Sequence, residues 1–112
     1  MSASTHFCAI DFGTSNSAVA VAAAGDDTTR VVPMEAAATY MPTAVFYSAE
    51  DDGRLFGRAA IAAYVDGHEG RLMRSIKSIL GSDLMERTTE VGLGVTVDYL
   101  DVVIAYLREL KI

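Results

Sequence analysis

Two hydrophobic rhythms divide the chain, and they meet at residue 57. Before it, apolar residues come in short runs separated by turn signals; from Arg58 they recur at helical spacing. HFCAID, residues 6–11, reads as a first strand. In SAVAVAA, Val19 and Val21 alternate with alanines, and AGDDT supplies a turn directly afterwards. TRVVPME offers a third strand, so the start reads as a meander of hairpins. Pro42 then opens TAVFY, and the DDG at 51–53 signals a hairpin with RLFG as its return strand.

Beyond Gly57, RAAIAAYV predicts a short helix closed by Asp66 and Gly67. GRLMRSIKSILG predicts a second, bounded by Gly70 and Gly81, with Leu72, Met73, Ile76, Ile79 and Leu80 on one apolar stripe. Arg71, Arg74 and Lys77 recur at intervals of three on another face of it. SDLMERTTEVGLG has mixed character. Asp98 is a candidate cap for a helix through YLDVVIAYLRELKI, with Leu100, Val103, Ile104, Leu107 and Leu110 or Lys111 on its core side. That amphipathic pattern meets no closing glycine, so the expectation is a fragment of a longer protein. Its uncovered apolar residues favour a homo-oligomer.

Composition narrows the classes. At 112 residues the chain is one domain or a large piece of one, and 51% hydrophobic against 21% charged residues argues against disorder. Fifteen acidic and nine basic residues give −6, with no basic block, which argues against nucleic-acid binding. AVAVAAA, residues 18–24, is far too short to span a bilayer, and MSASTHF lacks the regions of a signal peptide. The expectation is a soluble cytoplasmic protein with no membrane partner. The single cysteine, Cys8, excludes an internal disulfide and any multi-cysteine metal site. Lying in an apolar run, it is expected to be a small buried hydrophobe. His6 and His68 lack metal-ligand spacing and read as surface residues.

The chemistry concentrates in AIDFGTSNSAVAV, residues 9–21. A strand ending in Asp11 can present its carboxylate to a magnesium ion, directly or through water. Gly13 permits close backbone approach to a ligand, and successive N–H groups in a tight turn form a concavity for phosphate oxygens. Thr14, Ser15 and Ser17 add hydroxyls, and Asn16 tolerates the positive φ such turns need. The same composition also suits an ordinary polar hairpin turn. GxxxxGK[ST] is absent, which excludes a P-loop, and no helix clearly follows the glycine as a dinucleotide site requires. Lys77, beside Arg74, is the second candidate: both can neutralise a phosphoryl group, though a solvated helix face would carry the same residues.

IDFGTSNS resembles the first phosphate motif of the actin-like ATPase superfamily, and its GTxNS form is most similar to DnaK-type heat-shock chaperones. PTAVFY, RLFGRAAIAAY, SIKSILG and the final amphipathic segment resemble successive pieces of that family in consistent order over nearly the whole chain. Phe12 after the aspartate, and the alanine-rich second strand, depart from DnaK itself and resemble a peripheral, YegD-like branch.

The resemblance implies an α/β fragment of the actin-like, ribonuclease-H-like ATPase fold. Residues 1–48 would be the first strands of the large subdomain with the phosphate loop, 49–95 a small upper subdomain, and 96–112 the first returning helix. It implies ATP or ADP with Mg2+ as cofactors. Asp11 would bind magnesium through water, Gly13, Thr14, Ser15 and Asn16 would grip the β- and γ-phosphates, and Lys77 would be the catalytic lysine. Met34, Glu35 and the TYMPT passage would connect to the upper subdomain without touching the reacting phosphate. Unfolded polypeptide and cochaperones would be partners of the parent ATPase, while this chain alone would bind ATP weakly or not at all and would not hydrolyse it. The alternatives are a sugar or acid kinase of the same superfamily, an actin-like filament protein, and a small binding domain that kept the fold without catalysis.

Overall fold

The computed structural model describes residues 6–23, 25, 29–35, 38–51, 53–92 and 94–110. The first sheet is the expected meander. β1 (His6–Phe12) pairs antiparallel along its whole length with β2 (Asn16–Ala23), and β2 pairs with the short β3 (Arg30–Val31). The lower end of β2 also pairs with β4 (Met41–Pro42), Asn16 opposite Pro42 and Ser17 opposite Met41. The chain crosses through Thr43 into β5 (Ala44–Ser48), the centre of a second sheet between β6 (Arg54–Phe56) and β7 (Gly70–Arg74).

β5 is buried on both faces because each face has its own cover. Ala44 and Phe46 pack under α1 (Arg58–Val65) with Ala60, Ala63 and Leu72, where alanines let the helix lie close to the sheet. Val45 and Tyr47 face the larger core, shared with Met73, Ile76, Val91, Val102, Val103, Tyr106 and Leu110. The last four of these come from α2 (Tyr99–Leu110); β8 (Thr88–Gly92) and β9 (Val95–Asp98) form the hairpin that precedes it. No helix of the described residues is long and apolar enough to cross a membrane.

Three local expectations are corrected. The segment 70–81 is not one helix: Gly70–Arg74 forms β7, and only Ile76–Ile79 coils, as a 3-10 turn. All five β7 residues pair with β5, so tertiary pairing overrides the helical stripe, and Leu72 and Met73 leave on opposite faces. Cys8 is exposed, because β1 is an edge strand left uncovered along residues 7–11, with Phe7 58% and Ile10 48% exposed. On α2 the buried face is centred on Val102, Val103 and Tyr106, while Ile104 is 37% exposed. The helix is rotated toward Tyr106, whose hydroxyl donates to the Pro42 carbonyl at 2.9 Å.

The start of α1 depends on a residue far away in sequence. Gly57 offers no side chain to cap it, and the Glu35 carboxylate accepts from the Arg58 N–H at 2.8 Å instead. The same carboxylate meets the Arg58 guanidinium, which also lies 4.7 Å over the Tyr40 ring. An anion at a helix N-terminus is favourable, and Arg58, donating also to the Tyr40 carbonyl, ties Glu35 and Tyr40 to the start of α1.

Candidate functional site

The loop between β1 and β2 is built on one close approach. The Gly13 N–H donates to the Asn16 carbonyl at 3.0 Å, and a Cβ at position 13 would run into that same carbonyl oxygen. Glycine is required by space here, without any unusual φ. The outgoing side is held as firmly. Thr43 donates its N–H to the Ser15 carbonyl at 2.9 Å, and the buried Ser17 and Thr43 hydroxyls hydrogen-bond at 2.8 Å. The TYMPT passage therefore supports the loop directly, through Pro42 and Thr43.

Above this support lies a polar cavity of about 280 Å³, lined by Thr14, Ser15, Pro42, Thr43, Ala44, Arg74 and Ser75. Topology explains the meeting. Thr43 anchors the loop, and its neighbour Ala44 pairs directly across from Arg74. Ser75 then turns the chain with φ 54° and ψ 36°, the left-handed region, and is the sole non-glycine residue with positive φ among those described. For an L-residue this conformation costs about 1–2 kcal/mol. Ser75→Gly is expected to raise the unfolding free energy by about 0.5–1 kcal/mol, since glycine's extra chain entropy offsets part of the relief. Urea unfolding measures it, and a loss of stability would contradict the strain.

Of the residues singled out in the sequence, Thr14 and Ser15 line the cavity, while Gly13 and Asn16 close the turn beneath it. Asp11 is exposed on β1 opposite Ala18, on the other face of the sheet from Phe12. Lys77 is exposed on the 3-10 turn and does not line the cavity; Ile76 and Ile79 of that turn are buried in the main core. Arg74 and Ser75 hold the place beside the loop. The repeat of basic residues at 71, 74 and 77 was the available signal, and a helical reading of the segment concealed which of them faces the loop.

These groups fit a phosphoryl group. The hydroxyl-bearing Thr14, Ser15 and Ser75, together with Arg74, border the space, and no acidic residue does. Its volume is below the roughly 300–1,000 Å³ of sites for drug-sized ligands, so it suits a phosphate tail and not a whole nucleotide. Among the described residues no cluster of three or more His, Cys, Asp or Glu could hold a metal. Asp11 by itself fits an ion that arrives already coordinated by phosphate and water.

Beneath the site, Tyr106 is fully buried, its ring 5.8 Å from Phe12 and 6.5 Å from Phe56. Burial pushes its hydroxyl pKa up, against lowering by hydrogen bonds with Ser17 and Thr43. Tyr47 is raised likewise, chiefly by burial.

A protein-family model described as Hsp70 protein matches residues 7–97, which is more than three quarters of the chain. No curated protein matches it.

Proposed function

We propose, from the premise that this chain belongs to the Hsp70 family, that its Gly13–Asn16 loop grips the phosphate chain of ATP or ADP. Membership brings ATP binding and chaperone-like function as the general activity. The observation that supports this site most is the loop itself, where a glycine is demanded by close backbone approach and an acid-free, hydroxyl-lined cavity opens above it. In this reading Asp11 holds the magnesium that accompanies the nucleotide, through water. Thr14, Ser15 and Asn16 orient the phosphates, and Lys77 positions the γ-phosphate and the attacking water. Phosphoryl transfer needs little covalent help from a protein, so positioning and charge neutralisation are what these residues supply.

The proposal extends to organisation. Residues 1–48 carry the phosphate loop, 49–95 form a small upper subdomain, and 96–112 form the first returning helix. Unfolded polypeptide and cochaperones are the partners the family brings. The sugar-kinase and filament readings lose ground to the family match.

The cavity wall offers only Pro42 and Ala44 as apolar surface, with no aromatic residue for a base. Mg-ATP is therefore expected to bind this chain weakly, with Kd on the order of 1 mM or about −4 kcal/mol. Titration followed by backbone amide NMR shifts tests this. Thr14 and Ser15 should move with ATP and not with AMP, and Asp11→Ala should remove the magnesium-dependent part. Equal shifts with AMP, or none with ATP, would refute the site.

A further inference from the structure

We propose that Arg74 is a second cation of the phosphate loop and contacts the terminal phosphates of the bound nucleotide. This rests on the phosphate reading of the loop and adds a residue to it. Arg74 and Ser75 share the cavity with Thr14 and Ser15, whereas Lys77 does not line it.

Two nearby arginines are already engaged. Arg58 pairs with Glu35, and Arg71 donates to the Thr89 hydroxyl and the Glu90 carbonyl. Arg74 makes no ion pair or side-chain hydrogen bond among the described residues, although the chain carries −6 overall. A free guanidinium in a hydroxyl-lined, carboxylate-free cavity is matched to a phosphate, which it can meet through two parallel N–H donors.

The position is also fixed. Arg74 ends a strand paired residue for residue with β5, and β5 continues from the Thr43 that holds the loop. Ala44, directly opposite Arg74, also lines the cavity, so the strand pairing itself sets Arg74 at its wall. The left-handed Ser75 then ends the strand at the cavity wall, and strained backbone of this kind gathers at ligand sites. The ligand class is the di- or triphosphate tail; Arg74 gives the loop preference for a terminal phosphate over a monophosphate.

The test uses the full chain with magnesium tripolyphosphate as the probe, read by amide and arginine Nε NMR shifts. The wild type is expected to bind, with Thr14, Ser15 and Arg74 signals moving together. Arg74→Ala should weaken binding about tenfold or more, as loss of a charge-assisted contact predicts, and Arg74→Lys should recover only part of it. Because Arg74 is exposed, its variants should fold, and unchanged amide spectra away from the cavity will verify this. Binding that survives Arg74→Ala undiminished overturns the inference and leaves the phosphate loop standing. A wild type that takes up no tripolyphosphate overturns both.

Discussion

Gly13→Ala is expected to reduce magnesium-nucleotide or polyphosphate affinity by at least tenfold while leaving the fold recognisable. The added methyl would run into the Asn16 carbonyl oxygen, the atom that closes the turn by accepting the Gly13 N–H. Relief requires the turn to open. The far side cannot give way easily, since Asn16 pairs with Pro42, the Ser15 carbonyl accepts from Thr43, and the Ser17–Thr43 hydroxyl pair is buried. The shift therefore falls on Thr14 and Ser15, the residues that border the cavity. A stability loss of about 1–3 kcal/mol should accompany it, within the usual range for a strained backbone. Gly67→Ala is the control: residue 67 has φ 82° but open space for a Cβ, so it costs stability without touching the loop. Parallel affinity and urea measurements on both variants decide the matter. Unaltered affinity in Gly13→Ala would show that the turn's close approach is not what shapes the site.

The largest stability effect is expected at Tyr106. Its ring is fully buried between Phe12 and Phe56, and its hydroxyl donates to Pro42, which both pairs with Asn16 and borders the cavity. Tyr106→Ala removes a large core side chain and should cost about 3–5 kcal/mol. That is a large share of the 5–15 kcal/mol typical of a domain, so partial unfolding at room temperature is expected. Tyr106→Phe keeps the ring and should cost roughly 1–1.5 kcal/mol for the lost hydrogen bond.

The two tyrosines with raised pKa also set a pH dependence. A phenol whose folded pKa lies above its unfolded value of about 10 favours the fold while neutral. That contribution is complete below pH ~10 and is lost as pH rises from there through the folded value. Stability should accordingly decline in alkali, and less steeply in Tyr106→Phe, where Tyr47 remains as the other raised phenol. Urea midpoints between neutral and strongly alkaline pH provide the measurement. A Tyr106→Ala protein within about 1 kcal/mol of wild type would place the core elsewhere.

Much of this protein was legible in its residues because the signals are local. The alternation of Val19 and Val21 marked β2, the DDG turn marked the β5–β6 hairpin, and RAAIAAYV closed by Asp66 and Gly67 marked α1. The loop was legible for the same reason: small polar residues after a strand-end aspartate need only a tight turn to come together. Cys8 misled because its apolar run suggested cover, whereas strand β1 lies at the sheet edge and is bare from residue 7 to residue 11.

The rest depends on which distant surfaces meet. Residues 70–74 are compatible with helix or strand by pattern, and five pairs with β5 decide for strand. That decision turns Arg74 toward the loop in place of Lys77. The cap of α1 comes from Glu35, and the buried face of α2 is chosen by a hydrogen bond from Tyr106 to Pro42, 64 positions earlier. Sequence alone determined the elements whose hydrogen bonds close within a few residues, and with them the Gly13–Asn16 loop. Only the tertiary structure decided the cavity, because its walls come from segments joined by cross-strand pairing and core burial, and those act between residues that no local pattern relates.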